Sequence, residues 1–444
     1  MAEIIPFRAL HYNPGLVGDL SNVVTQPYDK ISPEMQARYY GLSPYNLARI
    51  IRRRHDGGGA GADTDYRGAA EDFRDWIGWG VLVSDAEPAL YVYHQQYEVP
   101  GRPGERRTRR GFIGLCRLED YGARIVHRHE ETLSGPKADR LELLKATRAH
   151  FGQIFLLYGD PEGLVECELG AHSAANPWER VEDEYGTVHS VWRLADTLSI
   201  ERVANMMGEK KLVIADGHHR YETALAYRDS CRAQGGDERA EYVMATLVRM
   251  ETDGLTILPT HRVVHGLANF DWTAFCLAAG RFFEVRAAEV TGPGSGWGAG
   301  FAARLAEAGR ERPAVGAYSG RGRLVLLVLR PDADLTSALA DVPPGQRRLD
   351  VVLLHRLLLQ GALGIHPEAV REETNLRYER GLQAAAEQVE RGDADLCFLM
   401  NATPIEAVRD NALAGDPLPQ KSTDFYPKLL SGLTAYWLDN PGGI

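Results

Sequence analysis

Residues 211–226, Lys211-Leu-Val-Ile-Ala-Asp-Gly-His-His-Arg-Tyr-Glu-Thr-Ala-Leu-Ala226, change character in their middle. Leu212, Val213, Ile214 and Ala215 make an apolar run of strand length that stops at Asp216-Gly217. Beyond His218, His219 and Arg220, the residues Tyr221, Ala224 and Leu225 recur at helical spacing. The stretch predicts a buried strand, a one-glycine turn and a helix whose first turn carries two imidazoles and a guanidinium. A helix start offers free N–H groups and the positive end of a dipole, which favours an anion, phosphate above all. Gly217 lacks the Cβ that would keep a ligand from the backbone. Asp216 is a candidate to orient an imidazole, hold a metal or accept a proton. The plainer alternative is a helix cap with surface histidines beside it.

At 444 residues the chain is too long for one core. The expected break falls between residues 1–265 and 266–444. A net charge of −11 argues against a general nucleic-acid coat, whose footprint is basic. The five cysteines include no C-x-x-C pair, so neither a zinc ribbon nor a disulfide framework is expected. The opening MAEIIPFRAL lacks the basic and apolar regions of a secretory signal. No apolar run reaches the ~18–20 residues of a membrane span. A soluble cytoplasmic protein without a membrane partner is expected.

Strands are expected at 154–158 and 242–250, with hairpins at 90–116, around Gly186 and at 314–329. Helices are expected after Ser32-Pro33 and Ser43-Pro44, and over 63–79, 138–150, 351–360, 378–391, 403–411 and 429–438. Residues 57–61 and 291–300 read as glycine-rich loops. Strands and helices do not alternate strictly, so the class is α+β, a mixed α/β fold.

Three further clusters concentrate polar chemistry. Lys137 and Arg140 fall in the first turn of a helix, where they oppose its dipole. Holding an anion explains them; so does exposure to solvent. Thr260, His261 and Arg262 offer three donors to phosphate oxygens, or else satisfy a loop. Lys421, Ser422 and Thr423 lie between Pro419 and Pro427, with Lys428 directly after, but without the glycines of a Walker A loop, and a rigid turn is the alternative. The five arginines of GRPGERRTRR, residues 101–110, read as an exposed hairpin tip.

The chain resembles the DUF1015 family, a group of undefined function. The likeness rests on Ile5-Pro-Phe-Arg-Ala-Leu, Pro27-Tyr-Asp, Ser43-Pro-Tyr-Asn, Thr132-Leu-Ser-Gly-Pro-Lys, Ala215-Asp-Gly-His-His-Arg-Tyr-Glu-Thr-Ala, Leu258-Pro-Thr-His-Arg and Pro419-Gln-Lys-Ser-Thr with Phe425-Tyr-Pro-Lys. The D-G-H-H-R box is also similar to the phosphate-binding box of the ParB/sulfiredoxin-like superfamily, which includes free-serine kinases. That resemblance implies a ParB-like core with a large insertion within residues 1–265. The domain 266–444 would then return a Lys-Ser-Thr loop to the site.

It further implies a phosphotransferase between a nucleotide or pyrophosphate and a small hydroxyl compound, with free serine the first candidate. Asp216, His218 and His219 are then the catalytic candidates. Gly217, Arg220, Lys137 and Arg140 are expected on nucleotide phosphates, joined by Thr260, His261, Arg262, Lys421, Ser422, Thr423 and Lys428. Asp29 or Glu130 is the alternative base. Mg²⁺ on Asp216 and ATP, ADP or pyrophosphate as donor complete the expectation. A phosphatase or nucleotide hydrolase using the same pocket is the second reading. The third is a ParB-like binding protein switched by nucleotide, disfavoured by the acidic charge and the lack of a basic helix-turn-helix.

Overall fold

The computed structural model describes residues 1–54, 65–131, 136–288 and 297–442. The expected loop at 57–61 and residues 291–296 of the second one fall outside them; Trp297 already opens a helix. The chain forms two compact units. The first comprises Met1–Arg128, Thr132–Thr256 and Pro427–Ile444; the second comprises His129–Glu131 and Ile257–Tyr426. Residues 427–444, grouped by sequence with the C-terminal half, join the first unit. Strands and helices are mixed in both, as the α+β class requires.

Among its described residues the first unit has a nine-stranded sheet. Its strands are β1 (Ile4–Ile5), β2 (Leu90–Glu98), β3 (Arg106–Arg117), β4 (Val126–Arg128), β5 (Ile154–Tyr158), β6 (Glu179–Glu182), β7 (Val188–Leu194), β8 (Leu212–Asp216) and β9 (Tyr242–Arg249). They lie in the order β4-β8-β5-β9-β3-β2-β7-β6, with β1 against β3. β4 runs parallel to β8 and β5 parallel to β9; the other pairs are antiparallel.

Successive side chains on a strand point to opposite faces, so each strand divides its residues between two environments. One face is apolar. Val92, Phe112, Leu156, Ile214 and Ala245 pack there with Val165 and Leu169 of α1 (Leu164–His172), Val203 of α2 (Thr197–Gly208) and Tyr221 of α3 (His218–Ala233). The other face is buried yet carries a polar row. His189 of β7 lies opposite Gln95 of β2, which lies opposite Arg109 of β3. All three are at most 1% exposed, and Thr246 of β9 shares that burial.

The second unit is built on a wholly antiparallel six-stranded sheet among its described residues. It comprises β10 (His261–Val264), β11 (Phe283–Ala288), β12 (Ala314–Tyr318), β13 (Leu324–Leu329), β14 (Leu376–Glu379) and β15 (Leu396–Leu399), in the order β11-β13-β12-β15-β10-β14. Phe275, Leu335, Leu354 and Leu358 cover one face; Phe301, Leu305, Ala385 and Val389 cover the other.

Several expected helices differ from what forms. Residues 429–438 make no helix: Leu429, Leu430, Leu433, Tyr436 and Leu438 are all buried, and Gly432 adopts φ +104. An apolar strip buried on every side suits an irregular extended segment, and this one bridges Thr25 through Ser431 and Leu10 through Ala435. Tyr378 belongs to β14, and the helix predicted from it starts at Leu382. The 351–360 helix widens into a π-helical turn over Leu354–Gln360. Ser43 Oγ accepts from the Tyr45 N–H, and the next helix begins only at Ala48.

Candidate functional site: a cationic corner at Asp216

The strand, glycine turn and helix of residues 211–226 form as their sequence predicts: β8 ends at Asp216, Gly217 adopts φ 92, and α3 begins at His218. Pairing of β8 with β5 slips between Ile214 and Asp216, leaving Ala215 as a bulged extra residue. A bulge re-aims the side chain after it. Asp216 caps nothing; it accepts from Arg220 Nη2 at 2.6 Å through Oδ2 and from Lys428 Nζ at 3.2 Å through Oδ1.

Arg220 also donates to the carbonyl of Gln153. Its guanidinium passes between two glycines. A Cβ on Gly217 would come within 3.1 Å of it, and one on Gly152 within 3.4 Å. The space that Gly217 leaves open is thus filled by Arg220, not held for a ligand.

Lys428 is brought to Asp216 by a clamp on its own backbone. Gln95 Nε2 donates to the Lys428 carbonyl at 2.8 Å, and Arg109 donates to the Pro427 carbonyl. Arg109, grouped by sequence with an exposed hairpin tip, is 1% exposed, because alternation along β3 turns it inward. Its guanidinium stacks 4.6 Å over Phe155 and donates to Gln95 Oε1. Both of its acceptors are neutral, and among the described residues Nη1 has no partner. Burial pulls its pKa down to about 10 against the pull of Tyr93, Tyr97 and Asp216. Gln153, 2% exposed, likewise leaves Nε2 without a partner while Oε1 accepts from Thr246. Two buried donors beside a cationic corner thus find no acceptor among the described residues.

Electrostatics point the same way. Lys428, Arg220 and Lys30 hold the Asp216 carboxyl far below the usual carboxylate range, against its burial. Lys30 has Asp29 beside it at 3.9 Å. Four cations (Lys30, Arg109, Arg220 and Lys428) therefore face two carboxylates. Asp216 is a weak proton acceptor in this setting, since a useful base has a pKa near the working pH. Its two oxygens already carry cations, so the role expected of it as an Mg²⁺ ligand does not fit. Among the described residues no group of three or more His, Cys, Asp or Glu is placed to hold a metal.

A concavity opens beside Arg220. Its walls include Tyr28, Ile51, Leu143, Phe151 and Arg140. Arg140 stacks 4.3 Å over Tyr28 and donates to the carbonyl of Ile51 and to its neighbour Asp139. The expected contribution of Lys137 lies outside the described side chains.

The expected His218 and His219 open α3 in the first unit, whereas Glu130, Thr260, His261, Arg262, Lys421, Ser422 and Thr423 belong to the second. His261 is 2% exposed, its Nδ1 accepts from the Met400 N–H, and burial lowers its pKa to about 4. It carries no charge for a phosphate. Glu130 accepts from the Lys421 N–H at 2.8 Å, so its carboxylate braces a turn. Ser422 Oγ donates within that turn to the Pro419 carbonyl, and Thr423 Oγ1 meets His129 Nε2 at 2.6 Å. Arg262 donates to the carbonyls of Thr260 and Lys421. Arg109, Gln95, Gln153 and Lys30 went unnoticed in the sequence. Only the inward phase of Arg109 relative to Ile113 and Leu115 was there to find.

A family model described as "Protein of unknown function (DUF1015)" matches residues 4–352. No curated protein matches the chain significantly in sequence. Among solved structures, a conserved hypothetical protein from Pyrococcus furiosus superposes with TM-score 0.34 at 12% identity, covering 71% of this chain and 93% of its own. A free serine kinase variant in complex with ADP gives 0.35 at 12%, covering 70% and 89%. SbnI from Staphylococcus aureus, truncated at its C-terminus, gives 0.35 at 10%, covering 74% and 90%. Superpositions this loose carry no assignment of activity. Among the described residues no helix is long and apolar enough to cross a membrane.

Proposed function

The chain belongs to the DUF1015 family, and from its own geometry we propose that this member is a phosphotransferase working at the Asp216 corner. It would move a phosphoryl group between a nucleotide or pyrophosphate and a small hydroxyl compound, free serine being the first to try. The observation that carries the reading is the surplus of positive charge: the buried Arg109, the partly buried Arg220 and Lys428 and the exposed Lys30 around Asp216 and Asp29, with Arg109 Nη1 and Gln153 Nε2 finding no acceptor among the described residues. Phosphoryl transfer asks mainly for positioning and for neutralisation of charge on phosphate oxygens. Lys428, Arg220 and Lys30 supply that charge, while Asp216 holds the first two in place. The adjoining concavity offers apolar walls to the rest of the substrate. Asp29, solvent-exposed beside Tyr28, is the carboxylate proposed to take the hydroxyl proton.

The test is incubation of the purified full-length chain with ATP, ADP or pyrophosphate, Mg²⁺ and serine or another small alcohol, followed by ³¹P NMR. A phosphomonoester product that falls about 100-fold or more in Lys428→Met supports the reading. Phosphate release without an acceptor favours the hydrolase alternative. Absence of both, with no calorimetric binding of nucleotide or pyrophosphate, overturns the proposal.

A further inference from the structure

A second fully buried arginine lies in the other unit, without a hydrogen-bonded carboxylate among the described residues. Arg262 is 2% exposed and stands on β10 directly opposite Tyr378 of β14. Its Nη1 and Nη2 donate to the carbonyls of Thr260 and Lys421, both neutral. Its Nε is buried with no partner. The guanidinium stacks 5.4 Å over the Tyr378 ring, and the Tyr378 hydroxyl is also buried without a partner. His355 Nε2 is a third such atom; it stands in the first turn of the π-helical segment Leu354–Gln360. Inserted π turns recur at functional sites because they re-aim the side chains they carry.

We propose that the second unit binds a small oxyanion, a carboxylate or a phosphate-type group, at Arg262, with Arg262 Nε and the Tyr378 hydroxyl donating to it and His355 Nε2 beside it. The argument is energetic. An ion buried without a counter-charge costs several kcal/mol even after relaxation. Glu130 offsets part of that cost coulombically, but among the described residues no carboxylate accepts a hydrogen bond from Arg262, whose acceptors are carbonyls. A water molecule would satisfy the hydrogen bonds and leave the rest of the charge uncompensated; an oxyanion does both. Burial lowers the His355 pKa to about 3 with Arg262 adding to the effect, so the ring is neutral and its tautomer can turn an N–H to the anion. This site is independent of the phosphotransferase reading and stands or falls separately.

Crystals of the full-length protein soaked in selenate or in bromoacetate test it, because anomalous scattering marks where each probe sits. Expected is a peak with its oxygens within about 3.5 Å of Arg262 Nε. Selenate occupancy identifies a phosphate-type site and bromoacetate occupancy a carboxylate site. Tyr378→Phe keeps the ring and removes one donor, so it weakens the probe's affinity about fivefold or more. Arg262→Met abolishes the peak and raises the melting temperature in anion-free buffer, since an uncompensated charge is replaced by an apolar chain. Water alone at Arg262, or probe found only elsewhere, overturns the inference. So does a Tyr378→Phe protein that binds the probe as the native chain does.

Discussion

Replacing Asp216 by Asn tests the cationic corner most directly. At an effective dielectric of about 20, contacts of 3.2 Å to Lys428 and 2.6 Å to Arg220 give gross attractions of roughly 5 and 6 kcal/mol. Desolvation offsets much of this, and removing one partner of a buried pair costs about 3–5 kcal/mol net. The Asp216 side chain keeps 25% of its surface open to solvent, which places the expected loss near the lower end, at about 3 kcal/mol. Because the folded pKa of Asp216 is depressed, its contribution is fully present above the unfolded value, near pH 4, and is lost as pH falls through the folded value. The stability gap between native protein and variant therefore holds at neutral pH and closes in strong acid.

Urea denaturation followed by circular dichroism reads that gap. Adding pyrophosphate makes the measurement specific. With its carboxylate gone, the corner has a larger cationic excess, so saturating pyrophosphate should restore about 2.7 kcal/mol at a hundredfold excess over its Kd. An Asp216→Asn protein as stable as the native one would refute the ion-pair argument. A destabilised variant that pyrophosphate fails to rescue would refute the anion-binding corner while leaving the ion pairs intact.

Three further outcomes follow from single environments. Gly217→Ala forces a side chain into φ 92 and drives its Cβ to 3.1 Å from the Arg220 guanidinium; a loss of about 1–3 kcal/mol in thermal unfolding is expected. An unchanged Tm would mean that the turn relaxes freely. Glu179, 5% exposed and near Asp85, has its pKa raised to about 8 by burial first and Asp85 second. The folded state then binds the extra proton between the unfolded pKa and pH 8, so stability falls as pH rises through that window. Glu179→Gln should gain at most about 3 kcal/mol at pH 7, and the gain should vanish near pH 4; a gain independent of pH would contradict the titration. His261→Ala leaves the Met400 N–H without its acceptor, costing about 1–3 kcal/mol. Isothermal calorimetry should find its phosphate affinity unchanged, because the buried ring is neutral.

Much of both units was legible in local pattern. β5 begins and ends where its apolar run does, the 314–329 hairpin turns at its glycines, and the Asp216-Gly217 corner is a strand end followed by a helix start. Where the fold departs from local pattern, burial overrides periodicity. The apolar residues from Leu429 to Leu438 look helical in isolation, but each meets a different neighbour along an extended path. The charged string at 102–110 looks solvent-facing by composition. Strand alternation nevertheless puts Arg109 inside while Arg106 and Arg110 remain exposed.

The chain's own pattern determined where the Asp216-Gly217 turn would form, because a strand run, a glycine and a helix period are properties of adjacent residues. Which charges gather there was decided only by tertiary structure. Lys428 reaches Asp216 across 212 residues because Gln95 and Arg109 hold its backbone. That clamp exists only once β2 and β3 pair in a register that sets Gln95 against Arg109. Charge pairing of this kind depends on inter-strand alignment, and no local rule of sequence encodes it.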